Sequence, residues 1–327
     1  MTDATFSQRS GVWSLRAQSQ AANAGTWGDR AIFCIGEQDS DGIDFFNITS
    51  LGNSRNFGNL SVSRTSSLSS FSSYTRAVFC GGLVSSTTSN VMDFVTIAST
   101  GNAVDFGDMD NAGRFGAGYS SKTRGINHSG FDGNYLNRIE YVTIASTGNG
   151  TDFGDDTLAR NYVEGLCSTT RGIAYGGNNS GANIINNISY ITIASTGNAT
   201  DFGDLLSATR EISGGASSGT RGVMAGGVTS TESSTGNPQN VIQYITIAST
   251  GDATDFGDLI AANKMMGGTD NQVRGVFTNG HNNSSHLNTL EFITIATTGN
   301  GTDFGDSTTA SYGSTATSDS HGGLTNA

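Results

Sequence analysis

The chain has 327 residues, of which 46 are glycine and one is proline, and carries a formal net charge of −12. Its pI near 4.5 disfavours nucleic acid as a partner, because holding phosphates needs clustered Lys and Arg. Helix formers are scarce beside Gly, Ser, Thr and Asn, and with no apolar run of about 18 residues membrane insertion by a helix is not expected.

In chain order, the opening MTDATFSQRSGVW lacks the basic and apolar regions of a signal peptide, so Sec export is not expected. Ser10 to Trp27, SGVWSLRAQSQAANAGTW, holds both tryptophans, and its LRAQSQAANA core is the best helical stretch by propensity. Val12, Trp13, Leu15 and Trp27 are apolar anchors that lie outside the repeating text, which marks residues 1–29 as a docking segment.

From Arg30 the chain is periodic. The Phe of a recurring FG pair falls at 57, 106, 153, 202, 256 and 304, spaced by 49, 47, 49, 54 and 48 residues. An Arg opening a short apolar run keeps step at Arg30, Arg76, Arg124, Arg171, Arg221 and Arg274. Such a period signals an array of supersecondary units.

One unit reads as four strands. Arg160 to Gly165 (RNYVEG) is a weak first strand, and Arg171 to Gly177 (RGIAYGG) is a second one stopped by a glycine pair. Tyr190 to Ser195 alternates as a third strand with both faces half-buried, Thr196–Asn198 (TGN) reads as a tight turn, and Ala199 to Asp204 returns as the fourth. Four strands of five or six residues with their turns need about 40 to 50 residues, which is the period observed.

The third-to-fourth hairpin hardly changes between units, whereas the stretch between the glycine pair and the third strand changes in length and content: EQDSDGI, FDGNYLNRI, NNSGANIINNI and VTSTESSTGNPQNVI. A scaffold keeps what packs and varies what recognises. Candidate ligand residues on these loops are Asp39, Asp41, Asp132, Asn134, Tyr135, Asn178, Asn179, Asn237, His281 and Asn282.

The DFGD carboxylates, Asp105/Asp108 through Asp303/Asp306, lack the dense oxygen ladder of a Ca²⁺ loop and read as turn caps. His281 and His286 have no third ligand nearby, so no metal or cofactor is expected. Cys34, Cys80 and Cys167 are too few and scattered for a disulfide framework and read as buried apolar fillers. No nucleophile-elbow, zincin or Walker motif is present.

At the far end, Ser307 to Thr317 (STTASYGSTAT) resembles a first strand with no unit of its own, and unit one lacks a first strand. The expectation is a ring closed by strand 311–317 pairing beside the strand that begins at Arg30, with 318–327 left as a tail.

The order of Arg, glycine pair and two strand aromatics resembles kelch repeats, with Phe where kelch units usually carry Trp. That resemblance implies an all-β, six-bladed kelch-like β-propeller over residues 30–317. The SGVW segment is similar to a short module in structural proteins of tailed bacteriophages. It implies a non-enzymatic virion protein, a fibre, spike or decoration, made in the host cytoplasm, whose partners are other virion proteins or copies of itself and a host-surface glycan. The alternative is a free glycan-binding or glycan-processing propeller.

Overall fold

The repeated phrase folds as two antiparallel strands with one apolar edge. Ile191 and Ile193 are buried while Thr192 and Ala194 are exposed, so a single face is covered and not both as expected. In the computed structural model, which describes residues 29–229 and 236–324, this hairpin recurs in six sheets arranged as the blades of a β-propeller. Blade one is ordered Thr315–Ser318, Arg30–Gly36, Asp39–Asn47, Arg55–Asn59 from the axis outward, and the others follow the same antiparallel order.

The ring closes as expected. Ala31 pairs with Ser318, Ile32 with Thr317, Phe33 with Ala316 and Cys34 with Thr315, so the last strand completes the first blade and no sheet edge faces the gap.

Six apolar clusters lie at the six blade interfaces, and each contains one FG phenylalanine. Phe202 packs with Ile173, Tyr175 and Ile188 of blade four and with Met224, Ile245 and Ile247 of blade five. Phe304 joins Val276 and Leu290 of blade six to Phe33 and Phe46 of blade one. All six are nearly inaccessible, from 1% for Phe106 to 3% for Phe153. Burying each contributes about 1.5–3 kcal/mol to an interface.

Each wedge is held in a stack. The guanidinium of Arg171 lies 4.4 Å from the Tyr190 ring, which meets Phe202 edge-on at 6.0 Å, and Arg171 Nη1 donates to Ile247 O of the next blade at 2.9 Å. The same bond runs from Arg30 to Ile97, Arg76 to Ile144, Arg124 to Ile193, Arg221 to Ile295 and Arg274 to Ile48, completing the circle. Cation–π contact and a charge-assisted bond thus act through one side chain.

TGN is not the turn. The chain reverses at Ile193–Ser195, where Ser195 N donates to Thr192 O at 3.1 Å, and Thr196–Asn198 continue extended against the preceding blade. Gly197 N donates to Phe153 O at 2.8 Å, Ala199 N to Asp155 O at 2.7 Å, and the Asn198 Oδ1 accepts from Asp155 N at 3.1 Å. The set recurs at every interface, with Asp252 replacing Asn between blades four and five. Gly and Asn serve this clasp rather than a tight turn.

Two further boundaries differ from expectation. Arg160 lies near the end of the outer strand Thr151–Asn161 of blade three, where its guanidinium bonds Asp156 of its own strand and Gly176 O and Asn187 O of blade four, and the inner strand of blade four is Glu164–Cys167. Residues 318–324 are no tail either. Ser318 ends the closing strand, and Asp319 to Leu324 are buried across the axis, with His321 Nε2 at 3.2 Å from Ser120 Oγ and Gly323 N donating to His321 Nδ1 at 3.2 Å. Burial lowers the His321 pKa to about 4, so the imidazole is neutral at physiological pH. Cys34, Cys80 and Cys167 are buried free thiols whose pKa values burial raises. Val12, Trp13, Leu15 and Trp27 lie outside the described residues.

The clasp explains why a glycine follows each Phe. A Cβ at Gly203 would lie 2.5 Å from Gly251 O, whereas one at Gly197 would meet nothing within 4 Å, although φ is alike at +147° and +152°. Gly203→Ala is therefore expected to cost about 1–3 kcal/mol more than Gly197→Ala, since only the first overpacks an interface. Urea denaturation of both variants measures the difference; equal losses would show that backbone strain alone decides.

Candidate functional site

The two faces of the disc differ. One carries the six clasps. The other carries the loops that follow the second strands and the links from each outer strand to the next inner strand.

The links start from a fixed anchor. A polar third-strand side chain accepts the backbone N–H four residues after the FG Phe: Asp44 from Thr308, Asp93 from Ser61, Glu140 from Asp110, Gln243 from Leu206 and Glu291 from Ile260. In blade four Ser189 stands at this position and bonds Asp156, which itself accepts from Thr157 N at 2.7 Å. Nine residues after each Phe the chain enters a left-handed turn, at Ser66, Phe115, Tyr162, Glu211, Met265 and Gly313, with φ between 54° and 70°. The conformation belongs to the architecture; the residue type differs at every blade.

At two adjacent turns that residue is aromatic. Phe115 and Tyr162 stack at 4.1 Å with planes 24° apart, and they form one wall of a 340 Å³ cleft among blades three, four and five. Arg114 lies over Phe115 at 4.7 Å and Phe131 at 5.6 Å, Arg210 lies 5.9 Å from the Tyr162 ring, and Tyr135 meets Phe131 edge-on at 5.5 Å. The floor forms where the outer strand of blade three pairs with a two-residue strand of blade four, Asn161 against Asn178 and Arg160 against Asn179. Tyr162's phenol is pushed up to about 12, chiefly by burial and then by Glu211, and stays a neutral donor.

The loop residues named from sequence divide by role. Tyr135 and Asn178 line the cleft. Asp132 Oδ1 accepts from Asn134 N at 2.9 Å, Asn179 Oδ1 from Gly181 N at 2.9 Å and Asn282 Oδ1 from Ser285 N at 2.8 Å, so these side chains shape their own loops. Asp41 accepts from Asn59 Nδ2 at 2.9 Å, and Asn237 is exposed with its carbonyl bonded by Gln239. His281 packs 5.2 Å from His286 and 5.4 Å from Tyr312. Asp39 lies in the third strand of blade one, and its side chain is outside the description. Arg114, Phe115, Tyr162 and Arg210 sit in the links and Asn161 closes the outer strand of blade three, so none falls in the variable loops; the nine-residue offset from Phe to an aromatic, present at Phe115 and Tyr162, is the sequence signal for the cleft.

Two buried polar clusters belong to the scaffold. Tyr119 OH lies 2.6 Å from His128 Nδ1, His128 Nε2 lies 2.9 Å from Asp156, and Arg160 Nε donates to Asp156 at 2.7 Å, with the His128, Asp156 and Arg160 side chains wholly inaccessible. Burial alone would raise the Asp156 carboxyl, but His128 and Arg160 outweigh it and hold it well below the usual range. Arg64 and Asp93 pair at 2.6 Å, equally buried, in blade two. Along the axis a narrow 40 Å³ cavity is bounded by Glu164, Asp270 and His321, and burial raises both carboxyls, Asp270 to about 7. Among the described residues no group of three or more His, Cys, Asp or Glu is arranged to hold a metal.

No protein-family model matches the chain, and no curated protein matches it.

Burial, and to a lesser degree Asp303, raises Glu291 to about 7, against the Ile260 N–H that favours its anion. A carboxyl whose folded pKa lies above its unfolded value of 4.5 contributes fully only at lower pH. Its contribution is lost as pH rises from there to about 7, where the unfolded chain has released the proton and the folded one still holds it. Glu291→Gln, which keeps the acceptor, should therefore gain on the wild type by more than about 1 kcal/mol between pH 4.5 and 7.5. Denaturation at the two pH values tests this; a constant difference would contradict it.

Proposed function

We propose that this protein is a non-enzymatic virion component of a tailed phage, a fibre, spike or decoration protein with kelch-like blades. Residues 1–29 dock on a neighbouring virion subunit or on a second copy, and the propeller presents its link face to a host-surface glycan. The observation that carries this reading is the contrast between the faces: one repeats the same clasp six times, while the other carries a different residue at the left-handed turn of each link. A scaffold that holds one side constant and diversifies the other is built to present that other side.

The attachment half of the reading is supported by sequence. Trp13 and Trp27 lie outside the repeat in a segment similar to a phage module, and the ring is already closed by residues 315–318 without it. The aromatic and arginine cleft equally favours the second reading, a free glycan-binding propeller, and deletion of the docking segment separates the two.

A chain lacking residues 1–26 is expected to be soluble and to melt within a few degrees of the full chain, yet to be absent from particles assembled in its presence. Quantitative mass spectrometry of purified particles provides the readout. Normal incorporation of the truncated chain, or its failure to fold, would contradict the docking role.

A further inference from the structure

We infer that the cleft among blades three, four and five binds a sugar residue bearing a carboxylate, such as a uronic or sialic acid. This rests on the link face being the recognition surface, and it identifies the place and the chemistry.

Residues that line the cleft carry unsatisfied polar atoms, and these point to a ligand. Asn161 and Asn178 are each 5% accessible, and among the described residues the Oδ1 of neither accepts a hydrogen bond; the Nε atoms of Arg114 and Arg210 are likewise buried with no hydrogen-bond partner there. Native proteins satisfy nearly all such atoms. Two unpaired acceptors and two unpaired donors on residues that line one cleft match a ligand that offers hydroxyl or amide hydrogens beside anionic oxygen.

The charges select the anion. Glu211 is paired by Lys264 at 3.0 Å, while Arg210 Nε stays 3.7 Å from it, and Arg114 has no carboxylate within 4.0 Å among the described residues. The Arg114 guanidinium fork, with no carboxylate of its own among the described residues, suits a ligand carboxylate, which it can bond in a bidentate manner. The chain's net charge of −12 works against a polyanion approaching the same spot.

The rings select the rest. Tyr135 and Phe131 are half-buried at the rim, so their free faces offer flat apolar surface to the C–H face of a pyranose, leaving its hydroxyls for the asparagines. A volume of 340 Å³ is at the small end of ligand sites and holds one or two such rings. Equivalent link positions elsewhere pair Thr65 with Ser66, Lys264 with Met265 and Tyr312 with Gly313, none of which sets a cation on a stacked aromatic pair.

The test uses the full chain and two variants, Arg114→Gln and the rim change Tyr135→Ala, each checked for folding by near-UV circular dichroism. Saturation-transfer NMR titrations with sodium glucuronate, N-acetylneuraminate, glucose and inorganic phosphate give affinities, and an array of neutral and acidic glycans is probed in parallel. The wild type should bind at least one acidic sugar ten or more times tighter than glucose. Arg114→Gln should bring acid and glucose within twofold, and Tyr135→Ala should weaken the acid at least fivefold while phosphate fails to displace it. Should Arg114→Gln not fold, the selectivity of the wild type and the loss in Tyr135→Ala decide. Equal binding of acid and glucose, unchanged affinity in the folded variants, or displacement by phosphate alone would overturn the proposal. Array binding to neutral glycans untouched by either variant would overturn the cleft while leaving the link face as the recognition surface; no glycan binding at all would count against both.

Discussion

The fold depends on a hydrogen bond between neighbours: an exposed glycine N–H in one blade donates to the carbonyl of a buried phenylalanine in the blade before it. A propeller blade has little core of its own, so its stability resides in its two interfaces. The side chain of that Phe fills the wedge between sheets, while its main chain fixes the next sheet's height and tilt. Glycine is needed on both sides of the contact, once for close approach at Gly203 and once for the extended positive φ at Gly197. A mutation that spoils either group therefore acts on two blades together.

The axis imposes the opposite demand. Six inner strands converge there, and the room left suits Gly, Ser, Ala and Thr, as in Gly267–Asp270 and Thr315–Ser318. The chain end crosses this space, with Asp319 accepting from Arg30 N at 3.0 Å and the Ser320 carbonyl from Gln272 Nε2 at 2.7 Å. Closure of the ring and closure of its channel thus use one continuous stretch. Neutral His321 fits that role, because a charge there would be desolvated with no carboxylate paired to it among the described residues.

Features set by repetition were legible in the sequence. The period, the burial of the FG phenylalanines and the pairing of the last strand with the first blade all follow from comparing units with one another. Features set by a partner in another blade were not. TGN has the composition of a turn, and only its docking on Phe153 and Asp155 reveals why it is extended. RNYVEG reads as one strand because nothing local shows that the Arg160 guanidinium crosses from blade three to carbonyls of blade four while Glu164 lines the axis. SHGGL read as a tail because its residues are small and polar, which is also what the axis accepts. The cleft is hidden for a related reason: Arg114, Phe115 and Arg210 lie in irregular links and Tyr162 within RNYVEG, and they meet only after the left-handed turns are placed.

A disc of invariant clasps lets the opposite face differ from blade to blade without loss of register, and this is how a monotonous sequence can carry a specific surface. The central claim is that the exposed clasp residues after each turn hold the blades together. Native-state hydrogen exchange at the amides of Gly52, Gly101, Gly148, Gly197, Gly251 and Gly299, all exposed yet bonded to the preceding blade, tests it most directly. These amides are expected to exchange as slowly as those of the buried second strands, opening only with the whole ring. Fast exchange at the glycines while the strands remain protected would show that the clasp is ornamental and that side-chain packing alone joins the blades.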